Sequence, residues 1–246
     1  SLQSFGFALC ARGLRVLAVE GPGQGSVARF QGARFRPDWE TVAAAVLQFG
    51  AGQLPGWTAG RVVLWGDSFG GDLAPRAFAR LPAGQAHALV ANGGIADFLQ
   101  NAVCQLPDEA REALYRDPAK FDAMLTQYRA VSLGLDSILH FGALGCGART
   151  PSALYDAFAD YVLDEGTLAG VGARPVLVHD PALDDLVPGQ SREFFGRLPR
   201  PLHAATQLLR VPWEDGGGLH CGVGSTQNVP GAFLAWVADA TKASSR

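Results

Sequence analysis

Apolar positions along the chain fall into two kinds of run. The first kind is short and unbroken: residues 15–19 (Arg-Val-Leu-Ala-Val), 61–65 (Arg-Val-Val-Leu-Trp), 88–92 (Ala-Leu-Val-Ala-Asn), 174–179 (Arg-Pro-Val-Leu-Val-His) and 207–211 (Gln-Leu-Leu-Arg-Val). Unbroken apolar runs of this length, rich in β-branched residues, predict strands buried on both faces. The second kind has helical spacing. It covers residues 2–11, ending at the Arg12-Gly13 stop, then 38–49 behind Pro37 with Asp38 as N-cap, then the stretch after Gly70 to Arg80, and a closing helix over 230–242. Alternation of the two kinds predicts a parallel sheet covered by helices on both faces, an α/β fold.

From residue 97 to 172 the pattern changes. Amphipathic stretches around 108–115, 118–131 and 152–163 follow one another with no convincing strand between them. This predicts a helical cap or lid inserted into the α/β core. The expected organisation is a first core segment over 1–96, the cap over 97–172 and a second core segment over 173–246.

The candidate chemistry lies where the run 61–65 enters Gly66-Asp67-Ser68-Phe69-Gly70 and a helical stretch follows. A GxSxG match between a strand and a helix predicts a nucleophile elbow, a tight turn that strains Ser68 and lifts its hydroxyl above the sheet. Gly66 and Gly70 are expected to be needed because a Cβ at either would collide across the turn. A serine hydroxyl becomes a strong nucleophile only when a base takes its proton and a carboxylate orients that base. In this context the acid follows the serine and the histidine comes last. Both positions are filled. Asp184, in Asp-x-x-Val-Pro, is the preferred acid, with Asp185 as alternative and Asp180 too near its strand; His220 lies in the glycine-rich loop after the last strand. His87 and His203 read as surface residues, His140 as a cap residue and His179 as structural. The backbone N–H of Phe69 is one expected oxyanion donor. The second is expected from a loop ahead of residue 1, and the helix-like opening without a methionine reads as a processed chain or a fragment.

Other properties narrow the function. The 246 residues suffice for one α/β domain with a cap, and a net charge of −3 gives no reason to expect nucleic acid or an anionic membrane as partner. Cys10, Cys104, Cys146 and Cys221 are scattered, with no paired spacing that would hold zinc. A reduced, cytoplasmic protein is the expectation, with an extracellular one carrying one or two disulfide bridges as the alternative. No cofactor and no metal is expected. The expected partner is a small-molecule acyl or ketone substrate, and a homodimer is compatible with the chain.

Five segments carry a family resemblance: Glu20-Gly-Pro-Gly-Gln-Gly25, Phe35-Arg-Pro-Asp-Trp-Glu40, Leu64 through Arg76, Pro188-Gly-Gln190 and Gly218-Leu-His-Cys-Gly222. Together they resemble the α/β-hydrolase superfamily. Within it they are similar to the fungal yellowish-green pigment-biosynthesis hydrolases, which shorten polyketide chains, and to the bacterial 2,6-dihydroxypseudooxynicotine hydrolases. The resemblance implies an α/β-hydrolase fold whose N-terminal strands are missing from this chain. It also implies cleavage of an acyl group from a ketone-type substrate at a carbon–carbon bond, by Ser68 as nucleophile, Asp184 as acid and His220 as base. A carboxylesterase, thioesterase or acyltransferase would use the same three residues. A non-catalytic binding module of the same fold is the remaining alternative. Glu20 and its Pro-Gly turn are expected to fix loop geometry, with Arg34 or Arg36 as alternative grips for an anionic substrate.

Overall fold

A computed structural model describes residues 5–58, 61–225 and 228–242, with the side chains of 241 and 242 left aside. The described residues divide into two compact units. The first comprises Ser1–Val19, Asp38–Ala96 and Leu163–Arg246, and the second Glu20–Pro37 and Asp97–Val162.

The first unit is built on a parallel sheet in the order β1 (Val63–Asp67), β2 (Ala88–Asn92), β3 (Val176–Pro181), β4 (Gln207–Val211). Pairing runs in register, with Trp65 opposite Val90, Ala91 opposite Val178 and His179 opposite Leu209. β2 and β3 are buried along their whole length, which is why their sequences are apolar runs. Successive side chains point to opposite faces. Leu89, Ala91, Val176 and Val178 pack on one side with Phe78 of α4 (Gly70–Arg80), Leu168 and Val171 of α10 (Glu165–Gly172) and Phe194 of α11 (Gln190–Arg197). α3 (Trp39–Gln53) joins this layer through Leu47. On the other side Ala88, Val90 and Leu177 meet Leu9 of α1 (Phe7–Cys10) and Phe233 and Trp236 of α12 (Asn228–Lys242).

The second unit is helical: α2 (Gly25–Gln31), α5 (Phe98–Cys104), α6 (Asp108–Arg116), α7 (Pro118–Tyr128), α8 (Leu133–Cys146) and α9 (Pro151–Phe158). Asp97, Asp117, Ser132 and Thr150 cap α5, α7, α8 and α9, each side chain accepting from a backbone N–H in the first turn. The core gathers Phe121, Leu125, Leu154, Tyr155 and Phe158, with Phe121 and Tyr155 edge to face at 5.1 Å. At the Glu20 turn the carboxylate accepts from the backbone N–H and the hydroxyl of Ser26, which fixes the entry to α2.

Three expectations are corrected. Residues 15–19 do not form a strand. Val16, Leu17 and Val19 are 38%, 39% and 44% exposed, and among the described residues no strand pairs with the segment. An apolar sequence makes a strand only where a neighbour supplies the ladder. The helical stretch expected over 97–172 does not pack as one body, because α10 buries Leu168 and Val171 against the sheet of the first unit and the second unit ends at Val162. Asp38 stands at the N-cap position of α3 as expected, and its carboxylate accepts from the Thr41 hydroxyl at 3.4 Å. The third correction concerns Gly70. A Cβ on Gly66 would strike the Gly70 carbonyl, but one on Gly70 would meet nothing within 4 Å. The second indispensable glycine is Gly71, where a Cβ would lie 2.6 Å from the Gly93 carbonyl oxygen. Helix α4 passes that close to the end of β2.

Candidate active site

Ser68 sits between the last residue of β1 and the first turn of α4, in a turn too tight for ordinary backbone. Its φ is +56°, in the left-handed region that costs a non-glycine residue about 1–3 kcal/mol. The turn is held by hydrogen bonds: the Ser68 N–H donates to the Asn92 carbonyl at 3.0 Å, and the Ser68 carbonyl accepts from Gly71 at 2.6 Å. Phe69 follows as the N-cap of α4 with helical angles, so its amide lies at the positive end of that helix.

His220 is brought to this turn by the connection between β4 and α12. Its Nε2 lies 2.9 Å from Ser68 Oγ, and its Nδ1 lies 2.9 Å from both carboxylate oxygens of Asp184. An ionised carboxylate only accepts, so Nδ1 carries the proton and Nε2 is left to accept from the serine hydroxyl. Asp184 is itself oriented by the backbone N–H groups of Leu186 (3.1 Å) and Val187 (3.0 Å). Burial pushes its carboxyl up, but the hydrogen bond and charge of His220 and those two amides outweigh burial, and its pKa falls below the ordinary aspartate value. The side chains of Asp184 and His220 are 5% and 14% exposed, so the pair works largely out of water.

Other candidates lie apart from this arrangement. Asp185 is exposed. Asp180 is a buried residue of β3, 3.4 Å from Arg192 Nη1 and facing Arg210. His87 Nε2 meets the Ala240 carbonyl at 3.0 Å, His203 accepts from the Ala205 N–H, and His140 is an exposed residue of α8. Arg34 donates to the Leu144 carbonyl within the second unit. Among the described residues no group of three or more His, Cys, Asp or Glu side chains is arranged to hold a metal ion, and no helix is long and apolar enough to cross a membrane.

In the layer beneath these three side chains sequence reasoning marked His179 as structural and passed over Asn92. Asn92, fully buried at the end of β2, donates to Asp67 Oδ1 at 2.7 Å and to the Cys221 carbonyl at 3.1 Å, and pairs with His179 Nδ1 at 2.6 Å. Cys221 Sγ lies 3.1 Å from the Ser68 nitrogen and 3.4 Å from His220 Nε2. Gly93 accommodates this approach, since a Cβ there would stand 3.1 Å from the Cys221 sulfur and 3.4 Å from the His220 ring. The available signal was two polar residues, Asn92 and His179, closing the otherwise apolar runs Ala88-Leu-Val-Ala and Val176-Leu-Val.

The chain matches no family model. In sequence it is 32% identical over 171 residues to Hydrolase ORFZ of Pyricularia oryzae, covering 68% of this chain and 40% of that protein. It is 44% identical over 75 residues to Hydrolase ffsE of Aspergillus flavipes, covering 27% of this chain and 17% of that protein. The chain thus spans less than half the length of the curated relatives it matches. Among solved structures, BpoC of Mycobacterium tuberculosis H37Rv, named as a non-heme bromoperoxidase, superposes with a TM-score of 0.60 at 17% identity, over 97% of this chain and 87% of that one. The α/β hydrolase GrgF from Penicillium sp. sh18 gives a TM-score of 0.52 at 16% identity, over 87% and 73%. The chain has the α/β-hydrolase fold, and its sequence carries the resemblance to that superfamily.

Proposed function

We propose that this chain is a serine hydrolase in which Ser68 attacks a carbonyl carbon, His220 moves the proton and Asp184 orients and charge-balances His220. The observation that carries this reading is the continuous hydrogen-bonded line from Ser68 Oγ through His220 to Asp184, at 2.9 Å on each side, starting from a serine held at positive φ. The hydrolase names of its fungal relatives support the same class.

The reaction we assign is removal of an acyl group from a ketone-type substrate, in keeping with the segments that resemble carbon–carbon bond hydrolases. His220 Nε2 takes the Ser68 proton as Oγ bonds to the carbonyl carbon. The resulting oxyanion is met by the Phe69 N–H at the N-terminus of α4. As the tetrahedral adduct collapses, the bond to the leaving carbon breaks, and that carbon takes the proton from His220 Nε2. Water, deprotonated by the same nitrogen, then releases the acid and restores Ser68. An ester would follow the same course with oxygen as the leaving atom.

Labelling with a fluorophosphonate probe, read by intact mass, tests the nucleophile. One adduct on the parent and none on Ser68→Ala is expected; no adduct on folded parent would overturn the reading. Turnover of a β-diketone against an aryl ester then decides the leaving atom.

A further inference from the structure

We infer that Asn92 is a positioning residue for the Ser68–His220 pair, a single amide that ties the nucleophile's turn to the loop carrying the base. This rests on the hydrolase reading above. Ser68 and His220 are 152 residues apart in sequence, and their 2.9 Å contact has to survive thermal motion of two separate loops. Asn92 touches both. On the nucleophile side its backbone carbonyl accepts from the Ser68 N–H, and its Nδ2 donates to Asp67, the residue before Ser68. On the base side the same Nδ2 donates to the carbonyl of Cys221, the residue after His220, and the Asn92 carbonyl accepts from the Cys221 thiol at 3.2 Å.

The orientation of the amide is itself fixed. Asp67 Oδ1 and the Cys221 carbonyl are acceptors, so the Asn92 nitrogen must face them. Its oxygen must then face His179, whose Nδ1 supplies the proton. Asp67 is held in turn by the Trp65 indole N–H at 2.7 Å. Asn92 and His179 are 0% exposed, so bulk solvent does not reach these bonds. A buried amide with its donors and acceptor all engaged is a stiff joint. Stiffness matters because misplacing a reacting group by about 1 Å costs on the order of a hundredfold in rate.

The test uses Asn92→Asp, which keeps shape and the acceptor toward His179 but removes the donor that holds Asp67 and Cys221. Its companion is the double variant Asn92→Asp/Asp67→Asn, which restores a donor–acceptor pair between 67 and 92 while leaving the Cys221 carbonyl without its tie. The probe is a saturable aryl phosphonate, with the inactivation constant kinact and the affinity KI measured separately below the melting transition. In Asn92→Asp, kinact is expected to fall about ten- to a hundredfold with KI within about twofold. In the double variant the melting temperature should return toward the parent's while kinact stays low.

If kinact recovers together with the melting temperature, Asn92 is only a structural support and the inference is overturned; unchanged kinact in Asn92→Asp overturns it as well. Should the single variant not fold, the double variant carries the same comparison. A parent that is never phosphonylated sinks the hydrolase reading and this inference together. A parent phosphonylated no faster than folded Asn92→Asp sinks the inference alone.

Discussion

Ser68 and Cys221, the two non-glycine residues at positive φ among the described residues, are joined directly: the Ser68 N–H points at Cys221 Sγ at 3.1 Å. Their φ values are +56° and +53°. Each strained residue thus braces the other, and both lean on the Asn92 carbonyl. Strain of this kind persists only where the surroundings over-determine it.

Cys221 therefore acts as a small hydrogen-bonding spacer. Burial pushes its thiol far above the ordinary cysteine range, so it stays protonated and unreactive. Cys221→Ser keeps a donor and an acceptor at nearly the same place, and phosphonate labelling should stay within a few-fold of the parent. Cys221→Val loses both functions and puts a β-branched residue at positive φ, where it should cost roughly 1–3 kcal/mol and slow labelling at least tenfold. Urea denaturation and labelling rates of the two variants check this. Equal behaviour of the two would mean the sulfur merely fills space.

The glycines of the turn give a paired prediction. Gly71→Ala drives a Cβ to 2.6 Å from a backbone oxygen that cannot yield without moving the end of β2. Overpacking of this kind typically costs about 1–3 kcal/mol. Gly70→Ala meets open space at the first helical residue of α4 and should be neutral or stabilising by up to about 1 kcal/mol through backbone entropy. Thermal melts of both variants would decide it, and a Gly70→Ala as damaging as Gly71→Ala would contradict the assignment.

How much was legible in the sequence follows from what each signal reports. The run at 88–92 coincides with β2, because a strand packed between helix layers writes its burial into consecutive residues; the run at 207–211 coincides with β4 although only Val211 is buried there. The run at 15–19 carries the same composition without a strand, since apolarity reports a tendency to be buried and says nothing about a hydrogen-bonding neighbour. GxSxG marks the turn but not its contacts: the carbonyl that makes Gly71 indispensable belongs to Gly93, which no local pattern reveals. Asn92 and His179 were harder still. Their partners lie 25, 87 and 129 residues away, so their chemistry exists only once the strands are aligned.

His179 supplies a prediction about stability and pH. Burial lowers its pKa to about 4, with Asp184 opposing and His220 reinforcing that shift. The unfolded chain's histidine titrates near 6.5. As pH drops from about 6.5 toward 4, the unfolded state therefore binds a proton that the folded state refuses, and stability falls through that window; above about 6.5 the group adds no slope. Between pH 7 and 4.5 the loss attributable to this residue is roughly 2–3 kcal/mol. His179→Phe removes the titration and keeps a ring for the edge contact with Phe233, now at 5.3 Å. It forfeits the bond to Asn92, so it should be less stable than the parent at pH 7. Its stability should nevertheless change less between pH 7 and 4.5, and urea denaturation at the two pH values measures both slopes. Parallel slopes would mean that His179 takes up its proton in the folded state, which its buried place beside Asn92 opposes.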